Sequence, residues 1–290
     1  MIQEIIGIIG GTGLGDRLVK QLSGGRFINV DTPFGRPSDA VFIGTIGKNK
    51  VAFINRHGKG HKLSPSEVPY AANIFALKKI GVRLLITTGA VGSLRDKIAP
   101  GDLVIVDQFI DKTFKRQNSF FAGFAAVHCE MARPVCSRLS KILYKTAKKT
   151  NVKTHPAGTY ICMEGPQFST RAESLMHRLW GGDLIGMTAM PEAKLAREAQ
   201  ICYSLIALVS DYDCWKPAHL SDKQMLLKEI LSNLNNAADN CLKLVEAVLN
   251  SRITLTDENC PCRKSLELAV WTDKKQLNAR EKNRLKVLFE

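Results

Sequence analysis

The sequence predicts an α/β domain with a largely parallel or mixed sheet. Apolar runs of strand length alternate along the chain with amphipathic segments of helix length, a pattern typical of strands joined by crossover helices. Most of these runs end in glycine or in a polar residue. Ligands bind at the carboxyl ends of strands in open α/β sheets. We therefore expect the functional side chains at those ends.

The predicted strands are short apolar runs bounded by turn residues. A run without polar alternation indicates a strand that is buried on both faces. The predicted strands lie at residues 5–9, 51–55, 84–88, 103–109, 159–163, 184–187 and 201–210.

The predicted helices carry apolar residues three and four positions apart, which places them on one face. In the first of them, Tyr70, Ile74 and Leu77 have this spacing, and Gly81 is a stop signal. The predicted helices lie at residues 70–80, 171–180, 192–199 and 222–250.

A change in composition near residue 251 divides the chain into a domain, residues 1–250, and a C-terminal tail, residues 251–290. The tail begins with a polar segment that contains Cys260 and Cys262, and a helix is predicted over residues 275–289. The tail is too short to form a core of its own. We expect it to pack on the domain or on a neighbouring subunit.

Composition excludes several classes of protein. Hydrophobic residues make up 45% of the chain and charged residues 23%, as in globular rather than disordered proteins. No apolar run approaches the ~20 residues of a membrane-spanning helix, so no membrane partner is expected. The N-terminal apolar run contains Gly7 and lacks the basic flank and cleavage site of a secretory signal. These features predict a cytoplasmic protein.

The chain is basic, with a formal net charge of +14. This charge favours contact with anions without identifying them. A nucleic acid, a small anionic substrate and a merely solvated surface are the alternatives. The basic residues are scattered, and no helix-turn-helix or RNA-motif signature accompanies them. A nucleic-acid partner is therefore not expected.

The eight cysteines point to free thiols. The sequence contains no pair of CxxC motifs, so a zinc ribbon is not expected and no metal ligand is assigned. In a reducing cytosol disulfides are rare. The cysteines lie at positions 129, 136, 162, 202, 214, 241, 260 and 262.

Two motifs have residue types that suit an anion. The glycine-rich residues 10–13, which include Thr12, follow the first predicted strand. Their spacing matches neither GxGxxG nor Walker A, so they form either an anion-binding loop or a plain tight turn. Arg56 and His57 follow the next strand. A guanidinium beside an imidazole suits a phosphate oxyanion, and a solvated basic loop is the alternative.

Two later motifs suit a base or a sugar. Residues 164–171 open a helix that Ser169 or Thr170 could cap, and Phe168 could offer a flat face or be buried in a rigid turn. Asp211 and Asp213 follow the strand predicted at residues 201–210. A partly buried aspartate can hold or donate a proton at a leaving nitrogen, although an Asx-type turn would have the same pattern.

Together and in this order, these segments resemble the trimeric-type purine nucleoside phosphorylase family. The likeness extends from about residue 5 to residue 250. It implies one α/β domain with a central mixed, partly barrel-like sheet flanked by helices, assembled as trimers or hexamers. The strings that carry the resemblance are GGTGL at 10–14, TPFGRPSD at 32–39, RHG at 56–58, GSLR at 92–95, PGD at 100–102, DQFID at 107–111, EGPQFS at 164–169, MTAMPE at 187–192 and DYD at 211–213.

The resemblance implies that phosphate cleaves 5′-methylthioadenosine to adenine and 5-methylthioribose 1-phosphate, a reaction of methionine and purine salvage. Phosphate is then a co-substrate, and no metal or organic cofactor is needed. A related phosphorylase of adenosine, inosine, guanosine or methylthioinosine is the alternative. Relatives that take 6-oxopurines have Asn where Asp211 stands and Glu where Ser169 stands, so the residues here favour a 6-aminopurine.

The resemblance also implies the roles of individual residues around phosphate. Thr12, Arg56, His57 and Thr188 would hold the anion. Many relatives have Thr or Ser at a phosphate-touching position where this chain has Gly89. We therefore expect a weaker grip on phosphate, or a backbone amide in place of the missing hydroxyl.

Further roles concern the nucleoside. Asp211 and Asp213 would contact N7 and the amino group of adenine as the catalytic pair. Phe168, with Ser169, would lie near the base and Met187 along the ribose.

The 5′ group and the tail complete what the resemblance implies. His61, and His128 from a neighbouring subunit, would help to form the pocket near the 5′ group. The CxC string of the tail is similar to that of some relatives from hot environments, and Cys136 and Cys202 fall where such relatives can form a bridge. A disulfide-stabilised form is the alternative to free thiols.

Overall fold

Within the described residues, the fold is built on one mixed sheet of eleven strands. The computed structural model describes residues 5–11, 14–217, 222–251 and 257–289. The strands are β1 (Ile5–Gly10), β2 (Ser23–Ile28), β3 (Val41–Ile46), β4 (Asn49–Asn55), β5 (Val82–Ser93), β6 (Leu103–Ile105), β7 (Gln108–Asp111), β8 (Thr154–His155), β9 (Thr159–Cys162), β10 (Leu184–Gly186) and β11 (Cys202–Tyr212). The helices are α1 (Gly15–Gln21), α2 (Tyr70–Lys79), α3 (Ser137–Lys149), α4 (Arg171–Leu179), α5 (Glu192–Glu198), α6 (Lys223–Leu249) and α7 (Ala279–Arg284).

The sheet branches at β5. The main order is β2-β3-β4-β1-β5-β10-β9-β7, and β11 also pairs with β5, with β6 and then β8 beyond it. The pairs β4–β1, β1–β5 and β5–β11 are parallel. The pairs β2–β3, β3–β4, β5–β10 and β6–β11 are antiparallel. The predicted α/β fold with a mixed sheet is therefore confirmed.

Helices cover both faces of this sheet. On one face, α2 and α5 contribute Ile74, Phe75 and Leu195 to a buried apolar cluster. On the other face, α1, α3 and α6 contribute Leu18, Leu143 and others to a second cluster. Because apolar cover lies on both sides, all six residues of β1 and the first nine of β11 are buried. This burial explains their unbroken apolar sequences.

The predicted helices occur where the periodicity places them, and two begin at side-chain caps. Thr170 accepts a hydrogen bond from the amide of Glu173, whose carboxylate accepts one from the Thr170 amide, which completes a capping box for α4. Asp222 caps the 27-residue α6. Across the described ranges, no helix is long and apolar enough to cross a bilayer.

Several predicted element boundaries are wrong. The strand predicted to stop at residue 88 continues through Gly89 to Ser93, because both β10 and β11 pair with its far end. The strand predicted at residues 103–109 is two strands, since Val106 and Asp107 bond separately to Leu205 and Gly158. The hairpin of β2 and β3 was not predicted, because β2 is largely exposed and has no buried apolar run.

The C-terminal tail packs on the domain. Leu266, Leu285 and Leu288 are buried in the same apolar cluster as α2 and α5. The helix predicted over residues 275–289 is interrupted: α7 begins at the cap residue Asn278, and short 3-10 turns precede and follow it. A side-chain cap that restarts the helix accounts for this break.

Candidate active site

The residues that follow the parallel strands β1 and β4 meet beside Thr88 of β5. The amide of Arg56, just after β4, donates to the Gly10 carbonyl at the end of β1 with an N–O distance of 3.0 Å. The amide of Gly11 donates to the Thr88 hydroxyl on β5 at 3.4 Å. Thr12, a predicted phosphate ligand, lies outside the described residues. The three strands therefore bring Arg56, Gly11 and Thr88 together.

Arg56 is a fully buried cation held by three hydrogen bonds. Its Nε and Nη2 donate to the two carboxylate oxygens of Glu192, at 2.9 and 3.1 Å. Its Nη1 donates to the Thr88 carbonyl at 2.7 Å. The forked pairing fixes both the position and the plane of the guanidinium. A guanidinium has five N–H donors, so two of them have no acceptor among the described residues.

The Glu192 carboxylate keeps the buried Arg56 guanidinium protonated. Burial by itself lowers the pKa of Arg56, but the Glu192 carboxylate more than compensates and raises that pKa above its ordinary value. The Glu192 carboxylate also accepts from the Tyr203 hydroxyl at 3.1 Å, and Tyr203 accepts from Thr87 at 2.9 Å. The ion pair is thus part of a network that reaches β5 and β11.

Thr188 lies beside Gly89. A Cβ added at Gly89 would lie 3.3 Å from the Thr188 hydroxyl oxygen, and it would meet no other atom within 4 Å. The Thr188 amide donates to the Tyr160 hydroxyl at 3.3 Å. The glycine therefore leaves open space next to the Thr188 hydroxyl, on the strand that also carries Thr88.

His57 is largely buried and neutral. Its Nδ1 lies 2.8 Å from the Leu63 carbonyl oxygen. Because a carbonyl can only accept, Nδ1 carries the proton and Nε2 is left as an acceptor. Burial lowers the pKa of His57 to about 4, and the charge of Arg56 adds to this effect. The His61 ring stacks on His57 with the ring centroids 4.2 Å apart.

Asp211 and Asp213 flank Gly92 of β5. A Cβ added at Gly92 would lie 3.3 Å from the Asp213 Cβ and 3.5 Å from Asp211 Oδ2. The Ser210 hydroxyl donates to Asp211 Oδ1 at 2.5 Å. Asp213 is buried, and its Oδ2 has no hydrogen-bond donor in the part of the chain that the structure describes. The missing side chain at residue 92 thus leaves room for Ile185, Asp211 and Asp213 beside the strand.

The two carboxyls have unlike environments. Burial raises the pKa of Asp211 above its ordinary value, and the charge of Asp213 raises it further, against the opposing effect of the Ser210 hydroxyl. A carboxyl with a raised pKa keeps its proton to higher pH and can donate it. Asp211 can therefore act as a proton donor, and Asp213 Oδ2 is positioned as a hydrogen-bond acceptor with no donor among the described residues.

The remaining predicted residues Ser169, Met187 and Phe168 differ in their contacts and in their exposure. Ser169 is joined to the aspartate segment, since the Cys214 thiol donates to its carbonyl at 3.3 Å. The Met187 sulfur lies against Gly165, where an added Cβ would be 2.7 Å from it. Phe168 is 86% exposed, so the alternative of a buried Phe is wrong for this chain on its own.

His128 lies apart from these residues within the single chain. Its amide donates to the Ala269 carbonyl at 2.9 Å, and its ring meets the edge of Trp271 in the tail, with the centroids 4.9 Å apart. The predicted role of His128 requires a neighbouring subunit, so it stays a prediction.

The fold and this arrangement agree with what sequence comparison finds. The family described as "Phosphorylase superfamily" matches residues 5–250. The chain belongs to this superfamily.

The chain is similar, over most of its length, to proteins whose names state an activity. The S-methyl-5′-thioadenosine phosphorylase of Geobacter sulfurreducens is 44% identical over 291 residues, which cover 99% of each chain. The crystal structure of a methylthioadenosine phosphorylase from an Antarctic soil metagenomic library has a TM-score of 0.87 and 40% identity, and the match covers 99% of this chain and 100% of that one. A variant of the adenosine/methylthioadenosine phosphorylase of Schistosoma mansoni, in complex with methylthioadenosine, has a TM-score of 0.78 and 35% identity, with coverage of 85% and 90%.

The sequence analysis did not identify two charged residues of the candidate site, Glu192 and Arg116. Glu192 stands in the quoted MTAMPE string but was given no role. Arg116 was not singled out at all, yet its guanidinium donates to Glu164 Oε1 at 3.0 Å and to the carbonyls of Met187 and Met190 at 2.6 Å. Arg116 therefore fixes the segment that carries Met187 and Thr188. No local motif could have revealed a contact between such distant segments.

Loss of the Glu192 charge should destabilise the protein. Glu192→Gln keeps the shape of the side chain but leaves a buried guanidinium without its counter-charge, which typically costs about 3–5 kcal/mol. Urea denaturation measures the change. Asp239→Asn is the matched control, because the Arg17–Asp239 pair is largely exposed and its loss should cost at most about 1 kcal/mol. Equal losses in the two variants would contradict a special role for Glu192.

Proposed function

We propose that the protein catalyses the phosphorolysis of 5′-methylthioadenosine to adenine and 5-methylthioribose 1-phosphate. The observation that carries this proposal is the carboxyl pair at Gly92, in which Asp211 has a raised pKa and Asp213 has a buried oxygen that no described residue donates to. The named activities of the relatives support the same substrate.

Asp211 and Asp213 recognise the adenine and assist its departure. When the bond between C1′ and N9 breaks, negative charge develops on the purine. Asp211 supplies a proton to N7 and so neutralises this charge. Asp213 Oδ2 accepts a hydrogen bond from the 6-amino group. A 6-oxopurine would set its carbonyl oxygen against this acceptor, so the pair favours adenine over hypoxanthine.

Thr12, Arg56, His57 and Thr188 hold the phosphate. Arg56 supplies a permanent charge in a buried and fixed position, which lets it orient the anion without reorganising. The Thr188 hydroxyl donates to one phosphate oxygen. His57, with its Nδ1 proton committed to Leu63, uses Nε2 to accept a hydrogen bond from a protonated phosphate oxygen. The phosphate is the nucleophile and also stabilises the positive charge that develops on the ribose.

The spacing of these groups along β5 suits a nucleoside and phosphate together. Thr88 lies at the phosphate end and Gly92 at the base end. Four residues of strand span about 13 Å at ~3.3 Å per residue. Met187, on the segment that Arg116 holds, would lie along the ribose. Phosphate is a co-substrate in this scheme, and neither an organic cofactor nor a metal takes part in the reaction.

A homotrimer or homohexamer completes the site. Phe168, beside the base, is 86% exposed in the single chain, and Leu179 on the following helix is 87% exposed. Large exposed apolar side chains on neighbouring elements are typical of an interface. A partner subunit would cover them and bring His128 to the 5′ pocket near His61.

Light scattering on the purified protein should give the mass of three or six chains, and a monomer would contradict the assembly.

Adenine release should depend on both substrates. With 5′-methylthioadenosine and phosphate we expect rapid release of adenine, and almost none when phosphate is omitted. Inosine should give at least ~10²-fold less product, because its 6-oxo group leaves the Asp213 acceptor unpaired. Chromatography of the free bases measures both ratios. Release of adenine without phosphate would indicate a hydrolase, and faster release of hypoxanthine would indicate a 6-oxopurine phosphorylase.

Replacement of Asp211 should lower kcat selectively. Asp211→Ala and Asp211→Asn remove the acid, and we expect a loss of about 10²–10⁴-fold in kcat with little change in the KM for phosphate. The pKa of Asp211 is raised, so its proton is present below that pKa and is lost as the pH rises through it. The wild type should therefore lose activity on the alkaline side, and Asp211→Asn should not show this limb.

The matched control for these variants is Asp239→Asn, an exposed carboxyl outside the site. It should keep the wild-type kcat and pH profile. Near-normal turnover of either Asp211 variant would remove the basis for the assigned acid.

A further inference from the structure

Four cysteines from distant parts of the chain converge at one buried point. The sulfur atoms of Cys136, Cys202, Cys260 and Cys262 all lie within 4.8 Å of one another, and all four residues are buried. The Cys136 and Cys260 sulfurs are 3.7 Å apart. We name this group the four-cysteine cluster. The proposed reaction does not use it.

Three separate elements contribute to the four-cysteine cluster. Cys136 is the N-cap residue of α3, and Cys202 is the first residue of β11. Cys260 and Cys262 stand in the tail, where a short 3-10 turn begins between them at Pro261. The cluster therefore joins the start of the tail to the helix and the sheet of the domain.

The four sulfurs lie close enough together for tetrahedral coordination of a single ion. Four thiolates at ~2.3 Å from one zinc ion lie about 3.8 Å apart. The bonded sulfurs of a disulfide are ~2.05 Å apart and come in defined pairs, whereas here each sulfur has three sulfur neighbours. An iron–sulfur cluster must fit its own iron and sulfide atoms among the thiolates, so it requires a wider group than this one.

We propose that Cys136, Cys202, Cys260 and Cys262 bind one zinc ion as a tetrathiolate site that fixes the C-terminal tail to the domain. The donor set is the one that structural zinc sites use, closed to water and made of soft ligands. The sequence analysis did not expect a zinc ribbon, because the chain has no pair of CxxC motifs. The four ligands here are assembled by the fold rather than by two adjacent motifs.

The surroundings suit the negative charge of such a site. Four thiolates and one Zn²⁺ carry a net charge of −2. Cys136 is the N-cap residue of α3, where the positive end of the helix dipole lies. This dipole would stabilise the thiolates.

The bound ion would act on the tail rather than on the chemistry. Just beyond the cluster, the Ser265 hydroxyl donates to the carbonyl of Arg197 on α5 at 2.5 Å, and Leu266 enters the core. Zinc would hold the beginning of this segment in place. Its loss should loosen the tail and lower the melting temperature.

Metal analysis of the full-length protein tests the proposal. The protein is produced with zinc in the medium and purified under reducing conditions without chelator. Mass spectrometry of the metal content should give close to one zinc ion per chain. After denaturation with chelator and without reductant, all eight cysteines should react with a thiol reagent. Cobalt in place of zinc should give the visible absorption of tetrahedral thiolate coordination.

Variants assign the metal to these residues. Cys260→Ser with Cys262→Ser should lower the zinc content at least ~10-fold and lower Tm. Cys241→Ala is the matched control: Cys241 is fully buried in α6 but is not part of the four-cysteine cluster. This control should retain the full zinc content.

Two results would overturn the proposal. Wild-type protein without zinc but with fewer than eight reactive thiols would identify the cluster as disulfides. Wild-type protein without zinc and with eight reactive thiols would identify it as a reduced apolar contact. The wild-type measurements decide between these outcomes even where the double variant does not fold.

Discussion

The buried ion pair of Arg56 and Glu192 is the constraint on which the rest of the site depends. Two charges removed from water are costly, and their attraction compensates only when the geometry is good and the remaining polar groups are satisfied. Here the pairing is forked, and Thr88 and Tyr203 complete it. Because these partners come from β4, α5, β5 and β11, the fold must be complete before the cation is stable. A fixed positive charge at the strand ends is the result.

Strand β5 contacts the Arg56 side chain near one end of the site and the two aspartates near the other. At Thr88 and Gly89 it lies against Arg56 and Thr188, and at Gly92 it lies against the two aspartates. In the proposed reaction, one end would hold the phosphate, and the other would present Asp211 as a proton donor beside Asp213 Oδ2, which has no donor among the described residues. When the glycosidic bond of a nucleoside breaks, positive charge develops on the ribose and negative charge on the purine. An anion beside the ribose and a proton donor beside the purine would stabilise these two charges.

The four-cysteine cluster depends on the fold in a different way. Cys136 and Cys260 are 124 residues apart in sequence, yet their sulfurs are in contact. The tail adds Leu266, Leu285 and Leu288 to the core that supports α5, and α5 begins with Glu192. The packing of the tail therefore indirectly supports α5, the helix that carries Glu192, the counter-charge of Arg56.

The sequence by itself determined the α/β class, the principal strands and helices, and the segments that carry Arg56, Thr188, Asp211 and Asp213. These features are local: apolar runs, helical spacing and short strings of residues are written along the chain. Only the tertiary structure decided that Arg56 pairs with a residue 136 positions away, that Arg116 holds the Met187 segment, that β5 continues past Gly89 and that four cysteines converge. Each of these depends on which distant segments the packed sheet brings into contact, and no local pattern records that contact.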